Sequence, residues 1–413
     1  MIDDETAPVT IVRPAPSAAS VASAAATTRR EQRTVKRERV RRRRRRLGVL
    51  VTAIVLLLGA VGAGGFYLYT TRVATPDYDG PGSGDVVVQV AQGATGALIG
   101  RELADKGVVA SVKAFIDAAD AEERIRSVQP GFYRLRQQMS AEAAVELLLE
   151  PASRLGQLEI RGGVQLDDTA GPGGAVAPGV LTQISQATCA VIDGAEQCLS
   201  VEQLRAAMVD TDPAELGVPG WALEGVANAD PIRRLEGLLA PGRYDVPPGE
   251  SAVEVLGGLL TTSSVRLEAT GLVSGAESLG SSPYEVLVIS SLVEKEGITK
   301  DMPKVSRAIY NRLGLGRRLE LDSTVNYPLD LQALATTDDD RRRAGPYNSY
   351  LNVGLPPTPI AAPGNEAITA ALEPEAGPWL YFVRCETDGT SCFAETFAEH
   401  GANVQKARDN GAF

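Results

Sequence analysis

The sequence predicts an α+β protein held in a membrane by a single helix, and three observations carry that prediction. Residues 47–69 form an uncharged apolar run directly behind a block of arginines; beyond it, strand-like stretches alternate with capped helical stretches; and one strand–turn–helix pattern occurs twice. With 413 residues and 44% hydrophobic content the chain can bury two or three cores, since single domains usually run about 100 to 200 residues.

The net charge of -11 is unevenly spread. Residues 1–46 hold 13 Lys and Arg against 5 Asp and Glu, so this tail carries +8 and the remainder -19. It has almost no large apolar residue, cannot bury a core, and is expected to be disordered. Its final run, Arg41 to Arg46, abuts the apolar stretch, where a topology signal beside anionic headgroups is a simpler reading than nucleic-acid binding. The stretch itself is long enough to cross the roughly 30 Å hydrocarbon layer. The arginines place its N-terminal end in the cytoplasm, and Phe66, Tyr67 and Tyr69 sit where an outer aromatic belt belongs. A cleaved signal peptide, with Val61-Gly62-Ala63 as the processing site, is the competing reading; the long leader and long apolar run speak against it.

Residues 71–84 are rich in Pro, Gly and Asp and read as a linker, with the fold beginning near Asp85. Residues 86–90 suggest a strand, residues 96–105 a helix closed by Gly107, and residues 111–121 a helix capped by Ser111. A second strand is expected from Gly131 and a helix behind Ser140. The motif Pro130-Gly131-x-Tyr133-x-Leu135 then returns 111 residues later as Pro241-Gly242-x-Tyr244-x-Val246, with Ser251 in the place of Ser140. Between the copies, residues 162–179 are rich in Gly, Ala and Pro and read as an excursion loop without chemistry; the charged run 338–343 reads as a self-neutralising solvated loop.

All four cysteines lie beyond the apolar run, as two local pairs that each bracket an Asp-Gly turn. Cys189 and Cys198 flank Asp193-Gly194, and Cys385 and Cys392 flank Asp388-Gly389, so in an oxidising exterior each pair would staple a hairpin. Unpaired thiols are the other reading. A zinc site is disfavoured: no CxxC is present, and the single histidine, His400, is eight residues past the last cysteine.

One histidine excludes a multi-histidine metal site, and no GxSxG, Walker loop or dinucleotide fingerprint is present. No cofactor or metal is expected. What remains is carboxylate chemistry, most densely in residues 284–299, YEVLVISSLVEKEGIT, a largely apolar and therefore buried helix ending near Gly297. Glu294 follows its apolar face directly, with Ser290 and Ser291 one turn back. Apolar surroundings raise a carboxyl pKa, which is what a general acid requires. Composition alone equally allows Glu294, Lys295 and Glu296 to be the solvated end of a core helix. On a helix Glu294 and Glu296 lie about 200° apart, so at most one of them faces any single cleft.

These residues resemble a known family. Ser291-Leu292-Val293-Glu294-Lys295-Glu296 is similar to the catalytic-helix motif of endolytic murein transglycosylases of the MltG (YceG-like) family. Tyr310-Asn311-Arg312-Leu313, Leu321-Asp322-x-Thr324-Val325-x-Tyr327, Tyr347-Asn348-x-Tyr350 and Gly354-Leu355-Pro356-Pro357 with Pro363-Gly364 resemble the blocks that follow, and the segment from Tyr381 to His400 resembles its closing strand and tail. The chain departs from the pattern in the block from Glu236 to Gly242, which lacks the usual aromatic and acidic residues, and at Thr358, Ala362 and Gly401.

Composition and the resemblance together give a layout of six parts: from composition a disordered cytoplasmic tail (1–46), the transmembrane helix (47–69), a linker (70–84) and a second α+β region with the low-complexity insertion (153–234), and from the resemblance a LysM-like α+β module (85–152) and a mixed α/β catalytic domain (235–413). The resemblance implies cleavage of the β-1,4 bond between N-acetylmuramic acid and N-acetylglucosamine within a glycan strand of peptidoglycan, leaving a 1,6-anhydromuramoyl end and terminating nascent strands. Glu294 would be the catalytic residue. Tyr327, Tyr347 and Tyr350 are the candidates to stack on sugars, and Asn311, Asn348 and Asp322 to hydrogen-bond acetamido or hydroxyl groups; a structural role is open for each. Asp322 as a second carboxylate would make a lysozyme-like hydrolase, and a non-catalytic peptidoglycan-binding or division-scaffold protein is a further alternative. The expected partners are glycan strands, the cytoplasmic membrane through the one helix, and cell-wall synthesis enzymes, with no nucleic acid.

Overall fold

The structure, a computed structural model, describes residues 47–67, 75–171, 173–329 and 336–412. The chain divides after Thr75 into two compact units. The first contains helix α1 (Leu47–Tyr67), every residue of which is exposed. Its 21 residues, at about 1.5 Å each, match the hydrocarbon thickness. The Arg41 to Arg46 run and Tyr69 lie outside the described residues.

The second unit opens with β1 (Pro81–Val90), α2 (Gly96–Asp105), α3 (Val112–Ala121), β2 (Gly131–Met139), α4 (Ala141–Leu149) and β3 (Arg154–Leu155), the strands forming one antiparallel sheet with β2 in the middle. Thr95, Ser111 and Ser140 cap the three helices by accepting the N–H three residues on, each such bond being worth about 1 kcal/mol. Phe115, Leu103 and Leu135 centre the core between helices and sheet. The expected linker is shorter than its composition suggests. Pro81 and Ser83 pair with Met139 and Gln137, and the Asp77 carboxylate accepts the Ala141 N–H at 3.1 Å. Gly82 (φ 71) permits this, because a Cβ there would collide with the Gln137 carbonyl.

β4 (Gln157–Ile160) leads through the short pair β5 (Thr169–Ala170) and β6 (Val176–Ala177) to α5 (Val180–Thr188). The hairpin β7 (Ala190–Ile192) and β8 (Ala195–Gln197) turns at Asp193 (φ 50) and Gly194 (φ 77), the two left-handed residues of a type I′ turn. It is closed by a Cys189–Cys198 disulfide. Its tip docks on the first sheet: the Asp193 carboxylate accepts the Asp85 N–H (2.7 Å), the Asp85 carboxylate accepts the Asp193 N–H (2.9 Å), and Arg134 donates to the Val191 carbonyl (2.8 Å).

After α6 (Val201–Asp210) and α7 (Leu223–Ala227), β9 (Gly242–Asp245) returns to pair antiparallel with β4. The sequence echo is a structural one. Gly131 and Gly242 share a backbone angle that favours glycine (φ 145 and 146), Tyr133 and Tyr244 each donate their hydroxyl to the carbonyl four residues earlier, and Ser140 and Ser251 each cap the following helix.

That second helix is α8 (Ala252–Ala269), followed by α9 (Leu272–Ser278), α10 (Pro283–Glu296), α11 (Met302–Gly314), α12 (Asp322–Asn326), α13 (Asp338–Arg342) and α14 (Asn365–Leu372). The hairpin β10 (Tyr381–Arg384) and β11 (Ser391–Ala394), closed by a Cys385–Cys392 disulfide, and α15 (Phe397–Asn410) complete the chain. One core runs without a break from Leu158 through Leu235 to Ala371, across residues 234 and 235. Helix α10 is its axis. It starts in a Ser282–Glu285 capping box, buries Tyr284 and every residue from 286 to 293, and packs on α9, α11 and α14. At about 1.5–3 kcal/mol per fully buried large aliphatic side chain, the end of α10 is held firmly in place.

Candidate functional site

The C-terminal turn of α10 delivers Glu294, Lys295 and Glu296 to the surface of this core, where all three are half-buried. As their angular separation requires, the two glutamates diverge. Glu294 Oε2 accepts the Gly364 N–H at 2.9 Å, one of the unpaired donors at the start of α14, whereas Glu296 Oε1 accepts the Ser323 N–H at 3.4 Å. Burial raises the Glu296 carboxyl against the lowering effect of Ser323. Ser291 acts from below: its hydroxyl donates to Val288 O and accepts the Ile360 N–H (3.0 Å), clipping the loop before Gly364 to α10.

Glu294 stands against glycine backbone. Its neighbours are backbone: a Cβ on Gly162 would stand 2.9 Å from Glu294 Oε1, and one on Gly163 would meet its Cγ at 3.8 Å. The start of the 162–179 segment, read from sequence as a loop without chemistry, is therefore a wall of this cleft. It is tied to the opposite loop by Gly163 N–H to Ala362 O and Ala362 N–H to Val164 O, both 2.8 Å, and Lys295 Nζ reaches Gly163 O at 3.3 Å. Burial lowers the Lys295 ammonium pKa, against the raising effect of Glu236, Glu294 and Glu296. Gly162 is exposed, and Glu294 Oε1 has no hydrogen-bond donor among the described residues, so one carboxylate oxygen is anchored and the other faces an opening. That geometry suits a group that must give up and recover a proton.

Each of the other sequence candidates has partners within the protein. Tyr327 and Tyr347 are 4% and 5% exposed, too enclosed to stack on a sugar; their rings lie 4.7 Å apart, with the Tyr327 hydroxyl donating to Glu236 and the Tyr347 hydroxyl bonded to Thr358. Asn348 is buried, spends its amide on Arg341 O and Arg343 O, and accepts the Tyr350 N–H. Asn311 donates to Gly377 O and Trp379 O, holding that loop to α11. Asp322 accepts from Thr336, Tyr350 and Arg341. Burial would raise its carboxyl, but those bonds outweigh it and hold it below the ordinary value. A carboxylate held below its ordinary value stays ionised, and three of its four hydrogen bonds fall on Oδ1. Arg341 also corrects the reading of residues 338–343: the run is helix α13, capped by Thr337, and one of its arginines serves Asp322. Arg312, buried, bonds Leu380 O, Arg318 O, Leu319 O and Glu320. His400 packs face to face with Tyr381 at 5.3 Å.

Sequence reasoning missed Gly162, Gly163, Lys295 and Glu236. The signal for Glu236 was one acid inside the apolar run LEGLLAPG; for the glycines it was their place one residue beyond the alternating strand QLEI.

The model of the YceG-like family matches residues 88–406. A Bacillus subtilis (strain 168) protein named endolytic murein transglycosylase is 26% identical over 346 residues, covering 83% of this chain and 90% of that protein. One of the same name from Streptococcus pneumoniae (strain D39) is 27% identical over 372 residues, covering 86% of this chain; this chain spans 64% of its length. The crystal structure of a YceG-like protein from Listeria monocytogenes superposes with a TM-score of 0.50 at 25% identity, over 78% of this chain and 99% of that one.

Proposed function

Because this chain belongs to the YceG-like family, we propose that it is an endolytic murein transglycosylase that cuts the N-acetylmuramic acid to N-acetylglucosamine bond inside glycan strands and leaves 1,6-anhydromuramoyl ends. The observation that carries this is the Glu294 carboxylate, anchored by Gly364 on one oxygen and open beside Gly162 on the other. In this reading Glu294 protonates the glycosidic oxygen as the bond to C1 breaks, then takes the proton of the muramoyl C6 hydroxyl as that oxygen closes on C1. The proton given first is replaced by the proton taken second, so one carboxylate serves both steps and water does not enter. The paired carboxylates of hydrolytic glycosidases are not required, and Asp322 is engaged by Thr336, Tyr350 and Arg341.

Helix α1 is the single-pass membrane anchor in this reading, with the arginine block before it cytoplasmic and the cleft outside. The β–α–α–β order of the first module supports its reading as LysM-like. Digestion of purified peptidoglycan by the full-length chain in detergent is expected to release anhydromuramoyl products, identified by mass spectrometry. Reducing ends instead would make it a hydrolase, and intact strands a binding or scaffold protein.

The cleft wall makes its own prediction. Gly162 is not in a left-handed conformation, so Gly162→Ala is expected to fold normally. Its methyl would displace the Glu294 carboxylate, and misplacement of this size lowers turnover by about tenfold or more. Turnover equal to that of the unmodified protein would remove Gly162 from the site.

A further inference from the structure

Glu236 is the most deeply buried carboxylate behind this cleft, 2% exposed. Both its oxygens accept the Leu166 N–H at 3.2 Å, and Oε2 also accepts the Tyr327 hydroxyl at 2.9 Å. Among the described residues no arginine or lysine donates to it. Arg233 lies over the Tyr327 ring at 4.8 Å, and Lys295 donates to Gly163 O. An acid in such a place is costly to keep, because burial penalises its charge with no ion pair in return.

What the position achieves is visible in its partner. Leu166 lies in the segment whose first residues form the wall beside Glu294. That wall is tied at Gly163 and Val164 to the Ala362 backbone, and at Leu166 to Glu236. Both groups that hydrogen-bond to Glu236 are offered as donors. An ionised carboxylate accepts both; a protonated one has one oxygen fewer to offer the Leu166 N–H and can use its new O–H only if the Tyr327 hydroxyl turns from donor to acceptor. Glu236 is too enclosed to meet substrate, so it acts through the wall and through Tyr327, at the end of α12. We propose that ionised Glu236 is a positioning residue for glycan cleavage, holding residues 162–166 against Glu294, and that its protonation loosens this wall and slows the reaction. The inference rests on the assignment of cleavage to Glu294.

Burial, opposed by the bonds from Leu166 and Tyr327, places the Glu236 carboxyl at about 7. The other ionisable groups facing it are Asp167, Arg233, Tyr284, Lys295, Tyr327 and Tyr347. Burial pushes the three tyrosines upward, away from neutrality, and Lys295 downward.

The test is the initial rate of anhydromuramoyl-end formation by the full-length chain in detergent, from pH 5 to pH 9, for the unmodified protein, Glu236→Gln and Glu294→Gln. Glutamine keeps the volume and one acceptor, so Glu236→Gln mimics the protonated acid. The ratio of unmodified to Glu236→Gln rates is expected to rise from about one at pH 5.5 to about ten at pH 8, with its midpoint near 7. Amide exchange in residues 163–166, compared at equal pH, is expected to be faster in Glu236→Gln at pH 8. A ratio that does not change with pH, or an acid limb that survives in Glu236→Gln and so belongs to Lys295 or another group, overturns the proposal. An unmodified protein that forms no anhydromuramoyl ends at any pH overturns the functional reading and the inference with it; cleavage lost in Glu294→Gln but pH-invariant relative to Glu236→Gln overturns the inference alone.

Discussion

Glu294→Gln is expected to fold as the unmodified protein does and to form anhydromuramoyl ends at least about 10²-fold more slowly, the usual contribution of a general acid–base group. The folding half of this expectation follows from the surroundings of the side chain. It lies at the half-buried end of α10, beyond the core residues 286–293, and the amide oxygen of glutamine can take over the Gly364 N–H. The rate half follows because an amide neither releases nor recovers a proton near neutral pH. No neighbour can take over. Glu296 turns toward Ser323, Asp322 is held by Thr336, Tyr350 and Arg341, and Glu236 is sealed behind the wall. Muropeptide analysis after digestion by the variant checks this; cleavage within a few-fold of the unmodified protein would remove Glu294 from the chemistry, and loss confined to Glu296→Gln would transfer the role by two residues.

The contrast between Glu294 and the tyrosines shows which part of the site was legible in sequence. The helix was: residues 284–299 read as a largely apolar helix ending near Gly297, and its period alone separates Glu294 from Glu296. The repeated strand and helix were too, because Gly131, Tyr133 and Ser140 each perform a local backbone task that Gly242, Tyr244 and Ser251 repeat. The long-range polar bonds were not. Tyr327 meets Glu236 from 91 residues away and Tyr350 meets Asp322 from 28, and nothing local distinguishes a tyrosine that seeks a buried partner from one that waits for a sugar. The wall was illegible for a different reason. Gly162 contributes by lacking a side chain, and Ala362, a departure from the family pattern, contributes its backbone, so composition marked the first as loop and the second as a loss. The linker was overestimated in the same way, its Pro-Gly-Ser-Gly stretch being captured by backbone bonds to β2.

The buried acid also makes a prediction about stability, and its sign can be worked out. The Glu236 carboxyl rises from 4.5 to about 7 on folding, so the folded chain binds this proton more tightly than the unfolded chain does. Its contribution to stability is therefore fully present below pH 4.5, declines as pH rises, and is lost above about 7. A shift of about 2.5 units at 1.36 kcal/mol each corresponds to on the order of 3 kcal/mol. Glu236→Gln has no proton to lose, and titrations elsewhere cancel in the comparison. The unfolding free energy of Glu236→Gln minus that of the unmodified protein is accordingly expected to increase by on the order of 3 kcal/mol between pH 4.5 and pH 8, measured by urea unfolding of the full-length chain. A difference that stays flat would mean that Glu236 does not bear the cost of its burial. An increase, found together with slower cleavage at pH 8, would show one substitution stabilising the fold while impairing the reaction. A side chain whose only task is to hold the core together does not behave that way; one kept ionised at the expense of stability, so that a glycine wall stays beside Glu294, does.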